Sequence, residues 1–496
     1  MVFSSLSFLA AFLPLALLLC WSAGALARGR FGWRPANMLI LAASLGFYFW
    51  GEGLGVLWLF ASIVVNAYGA RILAARESPR WRKNWLAALI TANLAFLGWF
   101  KYAGFAAATL SLIPGVAIID PQIALPLGIS FYTFQAMSYV VDVYKRDTKP
   151  SKSLVDFGCY VAMFPQLVAG PIIRYVDIVR QIETRVVDID RIASGFRRFL
   201  CGLSKKVLIA NSVGPLADSV WGVIHQGGGV QAQMAWIGAL AYALQIYYDF
   251  SGYSDMAIGL GRMLGFDFKE NFLHPYCARS VRDFWRRWHI SLSSWFRDYL
   301  YIPLGGSRCG KFRASVNGLI VFGLCGLWHG AGAAFVLWGL WHGLFLMLER
   351  LLVADKRKKA HAAAPSPALS HFLISLLGRA YALAVVLFGW VLFRSETFAD
   401  ASLMFSSLAG MAEAAREARA LWLDLNPKTI AALMIGTAFS FPIVPWLRAR
   451  IAGSGIASSH GRAIWIIESL ALTLLGLASL LFVAGGSYNP FLYFRF

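Results

Sequence analysis

The chain has 496 residues, of which 58% are hydrophobic and 14% are charged. Because a typical soluble domain is about 45–50% apolar and about 25% charged, this composition excludes an ordinary soluble protein and indicates a membrane protein. Its 45 Lys and Arg against 25 Asp and Glu give a net charge of +20, which we assign to cytoplasmic loops rather than to nucleic-acid binding, because such loops are enriched in basic residues.

Apolar stretches follow one another along the whole chain. Crossing the hydrocarbon core of a bilayer takes roughly 20 residues, and some stretches are too short or too polar to cross alone. We therefore predict an all-α, polytopic membrane protein with roughly ten to twelve spans plus re-entrant and interfacial helices. The candidate spans lie near residues 5–27, 37–50, 54–70, 84–100, 103–118, 122–142, 154–173, 196–224, 231–262, 314–328, 333–352, 371–393, 428–447 and 463–484.

The N-terminal region begins with an apolar stretch that no basic residue precedes, so we expect an uncleaved first helix rather than a signal peptide. GEG at 51–53 predicts the tip of a helical hairpin. Basic loops at 28–34 and 71–83 flank this hairpin. Both loops should therefore lie on the cytoplasmic side, with the N-terminus outside.

Two apolar runs further along the chain are interrupted by proline and glycine. They are LPLGISFYTFQ at 125–135 and MFPQLVAGP at 163–171. Broken backbone at membrane depth is tolerated only where it is buried in protein or lines a cavity. A simple proline kink would also explain the pattern, but Tyr132, Gln135 and Gln166 favour a cavity wall.

Polar side chains interrupt the candidate span at 231–262. A carboxylate at membrane depth is costly unless it is paired or faces a cavity. Two interpretations stay open: ion pairs with Arg262, Arg282 or Arg286, or side chains that line a substrate channel. The polar residues are Tyr248, Asp249, Ser251 and Asp255.

The segment 279–298 carries seven Arg and Asp residues. At about 2.5–3.5 kcal/mol for each such residue, crossing lipid would cost roughly 20 kcal/mol, so the segment is not an ordinary span. Drawn as one helix, it has an aromatic face and a polar stripe of Arg282, Arg286, His289 and Ser293. An interfacial helix explains the arginines. Alternatively, Arg282 and Arg286 bind a phosphate-rich donor, because Arg matches phosphate oxygens bidentately.

Three histidines, each preceded by tryptophan, form the most distinctive pattern. They are His289, His329 and His342, and the last two lie in a repeated GLWHG motif. A desolvated imidazole stays neutral and can accept a proton, which suits a general base. For a single intramembrane histidine packing would be the simpler interpretation, but three Trp-His pairs favour function, with Trp288 and Trp328 shaping an apolar wall. Their spacing does not match metal ligands, so no metal is predicted.

These motifs resemble those of the membrane-bound O-acyltransferase family, in particular the branch that contains the alginate O-acetylation membrane subunit. The resemblance runs from end to end in family order. It rests on MVFSS, LPLGISFYTFQ, FPQLVAGP, YYDFSGYSDMAIGLG, FWRRWHISLSSWFRDYLYIPLGG, GLWHG and PFLYFRF. The resemblance implies a helical fold around a central channel, a catalytic His329 and a second functional His289.

The implied activity is relay of an acetyl group from a cytoplasmic thioester, such as acetyl-CoA, across a bacterial inner membrane. The acceptor would be an exported polysaccharide, alginate first and cellulose or another exopolysaccharide otherwise. Implied partners are membrane lipid, a periplasmic acetyltransferase of the SGNH-hydrolase type and the exopolysaccharide synthesis complex, with no permanently bound cofactor. The alternative is a transporter or flippase that performs no chemistry.

We expect a single membrane domain over 1–496. Within it, 1–120 should form N-terminal helices and 121–350 the catalytic core. A polar cytoplasmic linker is expected at 351–370, followed by C-terminal helices over 371–496.

Overall fold

The computed structural model describes residues 3–26, 32–113, 119, 122–360, 368–453, 456–486, 488–490 and 492. The regular structure of these residues is helical, apart from one β-bridge between Gly229 and Ala414. Helices suit a membrane because they satisfy every backbone N–H and C=O group within one segment. The chain divides into two compact units: Met1–Phe199 with Tyr253–Glu270, and Leu200–Gly252 with Asn271–Phe496.

The first unit begins with the π-helical turn Phe8–Phe12 and continues in helices that run along most of its length. Long apolar helices alternate with shorter ones. They are α1 (Leu13–Leu26), α2 (Arg34–Glu52), α3 (Val56–Ala74), α4 (Pro79–Leu110), α5 (Ile129–Lys145), α6 (Leu154–Ala162), α7 (Phe164–Leu167), α8 (Tyr175–Glu183) and the first part of α9 (Ile189–Ser204).

The hairpin predicted at 51–53 is present. A Cβ added to Gly158 of α6 would lie 3.1 Å from Leu41 Cδ2 on α2 and 3.7 Å from Ile63 Cγ2 on α3. A straight helix would separate residues 41 and 63 by about 33 Å. The chain therefore reverses between them, at Gly53, whose φ of 54° ends α2.

The two runs interrupted by proline and glycine meet inside the first unit. Gly128, which precedes α5, has a φ of 70°, and a Cβ there would lie 2.4 Å from the carbonyl oxygen of Leu167. Gln135 and Gln166 are fully buried near this contact, and the Gln166 amide donates to the Tyr160 carbonyl. The predicted helix breaks are therefore confirmed, and most residues of both broken segments are buried in protein.

The second unit contains the remaining helices. Helix α11 (Ala232–Met263) contributes residues to both units. The others are α10 (Asn211–His225), α12 (Val281–Trp285), α13 (Ile290–Phe296), α14 (Lys311–His329), α15 (Ala333–Ala360), α16 (Ala368–Arg394), α17 (Phe398–Leu408), α18 (Pro427–Phe439), α19 (Ile443–Gly453) and α20 (Ile456–Ala484).

Helices α14 and α15 pack unusually closely because glycines lie at their contact. A Cβ on Gly339 would lie 2.1 Å from the carbonyl oxygen of Phe322, and one on Gly326 would lie 2.2 Å from that of Phe335. Both glycines begin a GLWHG motif. The repeated motif therefore brings two backbones together and places the aromatic and histidine side chains around the contact.

Seven helical runs among the described residues are long and apolar enough to cross a membrane, or eight if the bent pair Pro427–Phe439 and Ile443–Ala452 is one span. The run Arg34–Ala74 counts once, although it contains both α2 and α3. Fewer runs meet this criterion than the roughly ten to twelve predicted spans. One reason is that α5 has 17 residues. Another is that α11 carries buried carboxylates, which lower its hydropathy.

Two local predictions differ from the structure, and a third segment forms a short 3-10 helix. The segment 279–298 is not one helix but the two short helices α12 and α13, which are separated at His289. The basic run at the start of the predicted linker 351–370 continues α15 as far as Ala360, and 361–367 lie outside the described residues. In 411–427, where the sequence resembles an amphipathic helix, the structure has a 3-10 helix over Glu417–Asp424.

Candidate active site

A cavity of about 410 Å³ lies in the second unit between α12, α13, α14 and α15. Its lining combines four arginines with aromatic and aliphatic side chains. The arginines are Arg282, Arg286, Arg297 and Arg350, and the aromatic residues are Trp285, Phe296, Tyr301 and Phe322. A basic, largely apolar cavity of this size suits a ligand that carries anionic groups on an extended, less polar arm.

The cavity has an excess of positive charge. Among the described residues, Arg297 pairs with Asp298 at 2.6 Å, whereas no ion pair to a carboxylate is formed by Arg282 or Arg286. The guanidinium of Arg350 lies 5.6 Å from the centre of the Tyr301 ring. The exposed side chains of Arg282 and Arg286 are therefore available to bind an anion.

Capping interactions fix the position of α12 at the cavity. The hydroxyl of Ser280 accepts a hydrogen bond from the Asp283 N–H at 3.1 Å. The carboxylate of Glu349 on α15 accepts from the N–H groups of Val281, at 2.5 Å, and Arg282, at 3.1 Å. Because these bonds satisfy the otherwise unpaired donors of a helix start, they hold Arg282 at the cavity edge.

His329 is the last residue of α14, and its side chain is buried among aromatic rings. Its ring centre lies 4.8 Å from Trp328, 5.1 Å from Trp338 and 5.1 Å from Phe393, each edge-to-face. Only 8% of the residue is exposed. These rings shield the imidazole from bulk water.

Trp338 connects His329 with the cavity. Its ring centre lies 5.7 Å from that of Trp285, which lines the cavity, and it contacts His329 on another side. Cys325, one helical turn before His329 on α14, also lines the cavity. The structure therefore places the cavity and the predicted catalytic histidine on either side of a tryptophan pair.

His342 lies deeper than His329 and is fully buried. Its ring contacts Trp285 at 5.2 Å and Trp338 at 5.4 Å. Neither ring nitrogen has a hydrogen-bond partner among the described residues. Gly389 of α16 makes room for it, since a Cβ there would lie 2.6 Å from His342 Nε2. His342 thus packs behind the tryptophan pair and does not line the cavity.

His289 occupies a different environment. It lies between α12 and α13 in the left-handed conformation, with φ 44° and ψ 55°. The backbone carbonyl of Asn271 accepts from Ile290, and its side-chain oxygen accepts from Ser291, both at 3.0 Å, which fixes this turn. Burial lowers the pKa of His289 to about 3. The single helix predicted for the polar stripe is therefore wrong: Arg282, Arg286 and Ser293 line the cavity, whereas His289 lies in the turn and does not.

Trp288 and Tyr248 belong to the aromatic core of the second unit. Trp288 packs against Phe284 at 5.5 Å and Trp390 at 4.8 Å. The Tyr248 hydroxyl donates to the carbonyl of Gly436 at 2.7 Å. Neither residue lines the cavity, whereas Trp328 lies directly against His329.

The carboxylates of α11 form ion pairs, but not with the arginines expected from the sequence. Asp249 pairs with Lys206 at 2.6 Å and accepts from the Leu492 N–H at 2.9 Å. Asp255, in the first unit, pairs with Arg198 at 2.6 Å. The predicted partners Arg262, Arg282 and Arg286 are therefore wrong. Ser251 is buried, and its hydroxyl has no partner among the described residues.

Comparison with known proteins identifies the chain as an acyltransferase. The model of the membrane-bound O-acyltransferase family matches residues 147–358. Over the full length of both sequences, the chain is 40% identical to a probable alginate O-acetylase AlgI of Azotobacter vinelandii and 38% identical to one of Pseudomonas aeruginosa. It is also 31% identical to a peptidoglycan O-acetyltransferase of Helicobacter pylori, covering 100% of this chain and 98% of the relative.

The chain belongs to the membrane-bound O-acyltransferase family.

This membership confirms the predicted family, the helical membrane fold and the enzymatic class. The protein is a multi-pass membrane acyltransferase, with an acyl donor as one substrate. The transporter alternative, which involves no chemistry, is therefore set aside.

The sequence prediction for this membrane-bound O-acyltransferase did not single out several residues of the cavity region. Trp338 could have been found, because it lies one helical turn before His342 and so shares its face of α15. Arg350 could have been noticed as a charge near the end of an apolar helix. Gly318 and Phe393 carry no such signal, because their role depends on which helices pack together.

Proposed function

We propose that the protein accepts an acetyl group from a cytoplasmic thioester and relays it across the inner membrane of a bacterium for O-acetylation of an exported polysaccharide. Alginate is the polymer that the names of the relatives support. The observation that carries the proposal is the cavity with four arginines, which the pair Trp285 and Trp338 connects to the buried His329.

The arginines support a donor that carries phosphate. Arg282 and Arg286 are exposed at the cavity, and Arg350 lies on another wall. Guanidinium groups bind phosphate oxygens bidentately. Acetyl-CoA, or another thioester on a phosphate-bearing arm, fits this chemistry: its phosphates bind the arginines and its arm extends along the apolar wall.

His329 acts as the general base in this proposal. It takes the proton of an attacking hydroxyl while the hydroxyl oxygen forms a bond to the acetyl carbonyl carbon. The carbon–sulfur bond of the thioester then breaks, and the proton passes to the departing thiolate. Trp328 excludes water beside the ring, and His289 orients the donor or the acceptor. A positioned base typically contributes about 10²–10⁴-fold to such a reaction.

The relay requires partners beyond this chain. The acetyl group is small, whereas a thioester on a phosphate-bearing arm is too polar to cross lipid. The chain therefore passes on the acetyl group alone, to a periplasmic acetyltransferase of the SGNH-hydrolase type within an exopolysaccharide synthesis complex. The donor thioester is a substrate and not a resident cofactor.

Substitution of His329 tests the proposal. In cells whose own copy of the gene is deleted, His329→Ala should lower polymer acetylation at least ~100-fold at unchanged protein level. His225→Ala is the matched control, because His225 is partly buried and bonds Asp400 at 3.0 Å but does not line the cavity. Mass spectrometry of the exported polymer measures the acetyl content. Normal acetylation in the His329 variant would contradict the proposal.

A further inference from the structure

The cavity and His329 are separated by two tryptophans. Trp285 lines the cavity, and its ring centre lies 5.7 Å from that of Trp338. Trp338 in turn lies 5.1 Å from His329. A donor bound in the cavity therefore has the Trp285 indole on the side that leads, through Trp338, to His329.

Trp285 is held in place by rings on several sides. Phe322 contacts it at 5.0 Å, His342 at 5.2 Å and Phe284 at 5.5 Å, all close to perpendicular. Edge-to-face contacts of this kind stabilise a specific ring orientation. Only 8% of Trp285 is exposed. The indole is therefore a packed part of the cavity wall and not a surface side chain.

We infer that Trp285 determines the size of the acyl group that the enzyme transfers. This inference rests on the proposed function. Arginines at the cavity bind the phosphates and so limit how deeply the donor enters, which leaves the acyl end against the Trp285 ring. A single methyl group fits beside a packed indole, but each further methylene must displace rings that are already in contact, which close-packed interiors resist.

Competing donors test this inference. Inverted membrane vesicles from cells that export the acetylated polymer contain the full chain together with its acceptor system. They are supplied with acetyl-CoA or butyryl-CoA, and thiol release is measured above the His329→Ala background. Trp285→Leu should raise the butyryl-to-acetyl rate ratio at least ~10-fold, because one methylene in a pocket is worth about 10–200-fold. Trp285→Phe keeps a packed ring and should raise the same rate ratio by less. This variant also tests the inference if Trp285→Leu does not fold.

Trp295→Leu is the matched control. Trp295 lies on α13 and is 6% exposed, close to the exposure of Trp285, but it does not line the cavity. Its substitution should leave the ratio unchanged. A wild-type enzyme that releases thiol equally from both donors, or Trp285 variants with the wild-type ratio, would overturn the inference and leave the proposed function intact. A wild-type rate no higher than the His329→Ala background would overturn both.

Discussion

A larger side chain at Gly318 tests whether the cavity binds the donor, because it occupies cavity space without destabilising the fold. Gly318 lies on α14 and lines the cavity, and a Cβ added there meets no atom within 4 Å. The Cβ of Gly318→Leu therefore causes no clash at a position that lines the cavity. Four carbon atoms exclude on the order of 100 Å³, a substantial part of a cavity of about 410 Å³.

The expected effect is a loss of donor binding without a loss of stability. Replacing glycine in a helix by leucine favours folding by about 0.5–1 kcal/mol, so the melting temperature in detergent should stay the same or rise. The KM for the thioester should increase at least ~10-fold, equivalent to about 1.4 kcal/mol of binding free energy. Thiol release at a series of donor concentrations measures this KM.

The control for Gly318 is another glycine with free space around it. Gly222 of α10 is also partly exposed and has no atom within 4 Å of its Cβ position, but it does not line the cavity. Gly222→Leu should leave the KM unchanged. If Gly318→Leu also retained the wild-type KM and turnover, the cavity would not be the donor site.

Three further predictions concern charge and packing. Arg286→Gln should raise the donor KM about tenfold, because a charge-assisted hydrogen bond contributes about 1.5–3 kcal/mol; the same assay at several salt concentrations checks it. Asp249→Asn removes the carboxylate that balances the buried Lys206 ammonium, so stability should fall by about 3–5 kcal/mol, and the double variant Lys206→Met, Asp249→Leu should restore much of it; thermal unfolding in detergent measures both. Gly389→Ala places a methyl group 2.6 Å from His342 Nε2, so the melting temperature should fall by an amount that corresponds to about 1–3 kcal/mol.

The predicted features that the structure confirms depend on local sequence. The hairpin at 51–53 and the breaks around Gly128 follow from glycine and proline, whose backbone preferences act within a few residues. That 279–298 is not an ordinary transmembrane helix follows from its charge, and its helices of 5 and 7 residues are too short to span a bilayer. Such properties can be inferred without knowing which segments become neighbours.

The features that were missed depend on tertiary contacts. His289 adopts a positive φ because Asn271, eighteen positions earlier in the chain, bonds both residues that follow it. Non-glycine residues rarely adopt this conformation, so a continuous helix was the natural prediction. Asp249 was expected to pair with an arginine but pairs with Lys206 of a neighbouring helix. The choice of partner depends on how the helices pack, which no local pattern indicates.

The close packing of α14 and α15 also explains why the two GLWHG motifs place their histidines in different positions. Gly326 and Gly339 each pack against the backbone of the opposite helix, and the close approach places Trp338 of one helix against His329 of the other. The first motif thus contributes His329, which Trp338 and Trp285 separate from the cavity. The second contributes His342, which supports the tryptophans from behind.

Gly339→Ala tests this geometry, because its methyl group would lie 2.1 Å from the Phe322 carbonyl oxygen. The two helices must then separate, and overpacking of this kind typically lowers stability by about 1–3 kcal/mol. As a result, Trp338 must move away from His329. Turnover should fall by more than the donor KM changes. Gly323→Ala is the control on the same contact, since its methyl group would lie 3.5 Å from Leu340 Cδ2, an ordinary distance. Equal turnover in the two variants would show that close approach of α14 and α15 is not needed for catalysis.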